Sequence, residues 1–366
     1  MSLVTKPDRT TLLFLGFLLV IGVLFGLNYF VTRQTPEVIT VAVDPLAEDW
    51  VRAAADAYNA SNPIINNTTR VRVEVSAIND LDVFQNDSGW SSSNHPTAWI
   101  ASSSFSVEYA SLPLEMIAGS TARTPLVWGG FEGRVAIITQ DGGRPFEWQA
   151  VQDTVSAQTW SALGASGGNI NMAMEWPTGS MAGIGVLLSA AANEDGSDVI
   201  TREIVQDLGR ALWFGDFKES ISGFQNPGGD PAQVMAAQGT AKADFGLLPE
   251  SQWLVNIDGL TRSEGLVFAY PGYQFMLDFP LVRWDDAQVT ELEIAAVQSF
   301  ADYLLSAQGQ SLAMQYGLRP AQSEPTESAA LFATGEPYGI EYQPDYQLAV
   351  LPESRAVIDA LLRLLD

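Results

Sequence analysis

Gly164-Ala165-Ser166-Gly167-Gly168 spells G-x-S-x-G, the pattern that lifts a nucleophilic serine onto a strand-to-helix turn in one class of hydrolases. That chemistry needs a histidine later in the chain. The only histidine, His95, comes earlier, and residues 160–163 ahead of the motif read as a helix end, not a strand. A glycine-rich loop is the better reading. A triad of another chain order with His95 has no support in the spacing. No cysteine is present. Disulfides, thiolate metal sites, cysteine nucleophiles and a lipobox anchor are therefore excluded.

Gly179-Ser180-Met181-Ala182-Gly183-Ile184-Gly185 lacks the spacing and the Lys-Ser/Thr ending of a nucleotide-phosphate loop. Read with Pro177 and Thr178 before it, the segment offers hydroxyls and free N–H groups at a helix start. Such a start takes small anions or polar ligand groups, though N-capping alone accounts for Ser180 equally well. In residues 193–198 (NEDGSD), aligning Gly196 with the glycine of a calcium loop puts Ala191 and Arg202 at ligand positions. Neither binds calcium, so an acidic turn is expected and no metal site is assigned.

The elements that must hold these residues alternate. Residues 38–43 (VITVAV) form a continuous β-branched run, as in a strand buried on both faces. Residues 47–59 are helical, with Trp50, Ala54 and Tyr58 on one face. Residues 70–77 alternate as a second strand. Further strands are expected at 134–139, 170–175, 243–248 and 265–270. Helices are expected at 181–193, 199–213, from Asp230-Pro231 to 238, at 287–307 and at 352–365. This order predicts an α/β fold.

With 366 residues, two domains or one two-lobed unit is expected. Forty-three acidic against 18 basic residues give a charge of −25, which excludes nucleic acid and anionic lipid surfaces as partners. Residues 10–31 are uncharged for 22 positions, roughly 33 Å as a helix, enough to cross a bilayer core. The run is long for a signal peptide and no small-x-small cleavage site follows. Lys6 and Arg9 flank its inner end. The expectation is therefore a cytoplasmic tail at 1–9, a transmembrane helix at 10–31 and the remainder outside the cytoplasm.

The segment order resembles the type II extracellular (periplasmic) solute-binding proteins of ABC transporters, especially the kind found alone or beside von Willebrand A domains. The residues that carry the resemblance are 38–59 as the opening strand and helix, and 95–104 (HPTAWIASSS) against the family's P-D-A-W-I-P-S-S, with Thr97 for Asp and Ala101 for Pro. Arg123-Thr124-Pro125-Leu126-Val127 fits a crossover. Trp160, Pro177, Thr178, Ser180 and Gly183 fit T-W…P-T-x-S-x-x-G. Residues 244–253 (DFGLLPESQW), Tyr270-Pro271 and Gly317-Leu318-Arg319-Pro320 fit late segments. The likeness covers about 38–322.

The resemblance implies two α/β lobes around a ligand cleft, the first from 37–127 plus 268–366 and the second from 128–267, with hinge crossings near 125–128 and 267–270. It places Ser103, Ser104, Thr178, Gly179, Ser180 and Glu250 at the cleft. It implies a small solute of unknown class, an ABC permease or another membrane complex as partner, no cofactor and no catalysis. The first strand ends in Val43-Asp44-Pro45, where anion binders of the family often carry serine or threonine. An acidic side chain there disfavours an anionic ligand. The competing expectation is a non-catalytic scaffold subunit that keeps the fold without using the cleft.

Overall fold

The run at 38–43 forms the strand Glu37–Val43, paired in parallel with Thr69–Ala77 on one side and Ala98–Ile100 on the other. The burial expected on both faces holds only at its C-terminal end: Ile39 and Val41–Val43 are buried, while Val38 and Thr40 are exposed. The helix Pro45–Ala60 returns across the sheet, with Asp44 as its N-cap and Pro45 in its first turn. Its apolar face (Trp50, Val51, Ala54, Tyr58) is buried against that sheet.

A computed structural model describes residues 13–14, 16–22, 35–225, 229–262, 264–345 and 348–365. The strands form two main sheets. In the first lobe the order is Ile64–Ile65, Thr69–Ala77, Glu37–Val43, Ala98–Ile100, Leu281–Trp284 and Leu114–Ala118. In the second it is Leu266–Ala269, Ala122–Phe131, Phe245–Pro249 and Met172–Ala173. The long strand Ala122–Phe131 belongs to both regions. Its start pairs with Arg319–Pro320 and Met276–Leu277, its end with Leu266–Ala269 and Phe245–Pro249. The outward crossing therefore lies at 122–126. The return lies at 276–277, past the 267–270 expected, because Leu266–Ala269 still belongs to the second sheet.

Four other expectations differ. One helix was expected over 199–213, but Val199–Ile200 is a strand and the helices Arg202–Arg210 and Leu212–Ser220 are divided at Ala211. Residues 134–139 were expected as a strand, but Glu132–Ile138 is a helix. Val135 and Ile138 are its buried positions, a helical spacing that a short apolar run does not distinguish from a strand. The helix expected over 287–307 is two, Glu291–Leu305 and Ala307–Gln315, divided at Ser306, which caps the second. The end of the chain, expected with the first lobe, touches both: Tyr109 donates to the Pro352 carbonyl and Arg355 lies over the Phe84 ring, while its helix packs on the second. Arg355–Arg363 lies against Met181–Asp195 and Arg202–Arg210, and Leu351–Pro352 pairs with Val199–Ile200.

Met181–Asp195 is buried on every side through residue 192, as a helix apolar all round must be. Gly183 lets it approach the 175–177 backbone, where a Cβ would stand 2.4 Å from the Glu175 carbonyl oxygen. In the second lobe Trp128 meets Phe146 and Trp148 at centroid distances of 5.6 and 4.8 Å. Each such contact adds about 0.5–1.5 kcal/mol beyond burial.

Of the 10–31 segment, residues 13–14 and 16–22 are helical, with Leu13, Phe14, Phe17 and Leu19 exposed. The rest of that segment, and all of 1–9, lies outside the described residues. Among the described residues no helix is long and apolar enough to cross a membrane.

Candidate functional site

The C-terminal ends of strands from both sheets meet at a cleft of about 250 Å³. Asp44 follows Glu37–Val43 and Asn79 follows Thr69–Ala77. Glu175 follows Met172–Ala173, and Ser251 and Gln252 follow Phe245–Pro249. Asp230 enters from the start of Pro231–Gln238, and Tyr316 from the end of Ala307–Gln315. Asn79 Nδ2 donates to the Gly179 carbonyl across the cleft, so the two lobes touch directly.

Four helices start at this cleft, and each already carries a side-chain cap. Asp44 accepts from Leu46 N, Asn79 from Leu81 N and Ser180 from Ala182 N, while Asp230 accepts from both Ala232 N and Gln233 N. The backbone donors that attract anions at helix starts are thus partly consumed by the chain itself. Glu175 takes a 2.6 Å bond from Gln252 Nε2.

Burial raises the pKa of these carboxyls. Asp44 is pushed up to about 6 by burial, opposed by its bond from Leu46. Asp80, behind it, is raised well above the ordinary range by burial and then by the Asp44 charge, against two bonds from Ser102. Glu175 is pushed up to about 7, again chiefly by burial, with the charges of Asp44 and Asp230 adding. Burial also raises Asp230.

Of the six residues expected at the cleft, Gly179 and Ser180 line it. Thr178 is exposed. Ser103 is buried at the start of the helix Ser104–Tyr109, and Ser104 donates its N–H at 2.8 Å and its hydroxyl to Asp278. Glu250 is fully buried below the cleft, in a bidentate pair with Arg319 at 2.6 and 2.8 Å. Its neighbours Ser251 and Gln252 take the cleft-facing positions. Asn79, Glu175 and Asp230 gave little signal: Asp230 reads only as a helix cap and Glu175 only as the end of a strand.

The motif at 164–168 is a surface turn. Ser166 is exposed and its carbonyl accepts from Arg134 at 2.9 Å, while His95 stacks on Trp284 at 4.2 Å in the first lobe. Gly196 ends Met181–Asp195 in a left-handed conformation, as an acidic turn requires. Among the described residues no three His, Asp or Glu side chains are grouped to hold a metal.

Asn79→Asp keeps the cap on the helix Asp80–Phe84 but removes the donor to Gly179. It is expected to cost the closed form about 1 kcal/mol. Small-angle scattering should show a larger radius of gyration with unchanged helix content. An unchanged radius would mean that the contact does not hold the lobes together.

Several solved structures of similar fold are distant in sequence. A maltose-bound MalE3 of T. maritima superposes with a TM-score of 0.59 at 12% identity, covering 89% of this chain and 95% of that one. Iron-bound HitA of Pseudomonas aeruginosa gives 0.56 at 13%, covering 90% and 98%. A periplasmic thiamin binding protein gives 0.56 at 12%, covering 90% and 97%. At such identities the likeness establishes the two-lobed fold alone. No curated protein sequence matches the chain. Residues 39–319 match the family model described as bacterial extracellular solute-binding protein, and the chain belongs to that family.

Proposed function

We propose that the chain captures a small solute between its lobes outside the cytoplasm and presents it to an ABC-type transporter, without catalysis. The cleft carries the proposal. It is built from strand ends of both lobes, contains Gly179 and Ser180, and is bridged by Asn79, so a ligand contacting both sides favours the closed form. The uncharged run at 10–31 and its basic inner flank support a membrane tether with the N-terminus in the cytoplasm.

Deleting the chain from its host is expected to abolish uptake of one solute class, and the full chain should restore it. Protease added to cells stripped of any outer envelope should digest the part beyond residue 37 and spare the N-terminus. Uptake indifferent to the deletion would favour the scaffold reading. Protection of the large part would defeat the topology.

A further inference from the structure

The solute's chemistry can be read from what faces the cleft. Asp44, Asp49, Glu175 and Asp230 line it from both lobes, and among the described residues no lysine, arginine or histidine does. None of the four is in an ion pair among those residues. An anion entering here meets capped helix starts and like charge.

A second, independent feature asks for a donor. Gln252 is only 9% exposed, and its Nε2 is spent on Glu175, which leaves Oε1 buried with no partner. Ser251, 4% exposed, has an unpartnered hydroxyl oxygen beside it. A buried amide carbonyl without a donor is costly. A ligand N–H removes that cost. A bare metal ion fits poorly, because no three carboxylates are grouped to hold one among the described residues.

We infer that the cleft binds a small organic cation, of ammonium or guanidinium type, whose N–H groups are received by Glu175, Asp230 and the Gln252 carbonyl. This rests on the solute-capture reading and narrows it. Charge-assisted N–H bonds to carboxylates are the strong kind, and they supply the attraction across both lobes that closure requires. Asp49, exposed at the rim, steers the cation inward.

The test is calorimetric and thermal-shift titration of the full chain at pH 8 with putrescine, agmatine and choline. Sodium sulfate, maltose and calcium chloride represent the other classes, and sodium chloride matches ionic strength. At least one organic cation should bind saturably at one site. Glu175→Gln should weaken it at least tenfold. Asp49→Asn, at an exposed position, should weaken it severalfold. Binding of sulfate or maltose with the three cations silent would overturn the cation inference and leave solute capture standing. Calcium binding in place of the organic cations would overturn its organic part. Silence to every probe, or cation affinity unchanged in both variants, would overturn it as well.

Discussion

Arg319→Met is expected to destabilise the protein by about 3–5 kcal/mol, because it strands a buried carboxylate. Glu250 and Arg319 are both fully buried. Arg319 spans Glu250 with two nitrogens, reaches Glu324 at 2.9 Å and donates to the Tyr342 and Glu341 carbonyls at 2.9 and 2.6 Å. Tyr270 adds its hydroxyl to both Arg319 and Glu250. Burial and the Glu250 charge hold that hydroxyl far above its ordinary pKa, so it stays a donor. The cluster joins the strand Arg319–Pro320, which pairs with the crossing strand, to the start of Glu250–Val255 below the cleft. It therefore ties the crossing strand to the residues below the cleft.

The two partners are not equivalent. Without Glu250, Arg319 keeps Glu324. Without Arg319, Glu250 keeps the tyrosine hydroxyl but no cation among the described residues. Glu250→Gln should therefore cost less than Arg319→Met, and adding Glu250→Gln to Arg319→Met should recover at least about 1 kcal/mol. Denaturant titration checks the order, with a Tm fall of roughly 5 °C for Arg319→Met. A loss under about 1 kcal/mol for Arg319→Met would mean that water enters to solvate Glu250.

The opening of the fold was legible because it is local. The β-branched run at Val38 to Val43 favours a strand, and Asp230-Pro231 supplies an N-cap followed by a first-turn proline. Residues 134–139 were not legible, because the four apolar residues 135–138 fit either period and the choice is made by what Val135 and Ile138 pack against. The cleft was legible on one side. Thr178-Gly179-Ser180 announces a helix start, and two of those three residues line the cleft. The facing side depends on which strand ends meet across a hinge, a relation between residues about 100 apart such as Asn79 and Gly179. Glu250 shows how small the margin is. The resemblance pointed to the right turn, but the helix rotates Glu250 down to Arg319 and brings Ser251 and Gln252 up instead.

The same cleft makes the unliganded protein lose stability as pH rises, by an amount on the order of 3 kcal/mol for Asp44 alone. Its folded pKa is about 6 against an ordinary 3.8, and each unit is worth about 1.4 kcal/mol. Because the folded value is the higher, the folded state holds the proton longer than the unfolded chain. The stability is fully present below about pH 4 and is lost as pH climbs through 6. Glu175, pushed up to about 7, extends the loss toward pH 8, and Asp80 and Asp230 shift in the same direction. The groups facing them are Asp49 and Tyr316, with no basic side chain among the described lining residues, so nothing at the cleft offsets the trend. The −25 net charge also weakens the fold at high pH, so a bare slope is not diagnostic. The diagnostic is the difference between wild type and Asp44→Asn with Glu175→Gln. Asparagine still caps Pro45–Ala60, and neither amide titrates. The double variant should fall much less in Tm between pH 5 and 8, crossing above wild type at the alkaline end. Parallel curves would show that the cleft carboxyls are already ionised at pH 5. A bound cation reverses the sign of the effect. It binds the ionised carboxylates, so its affinity and the Tm increase it confers grow over the same interval in which the empty protein weakens.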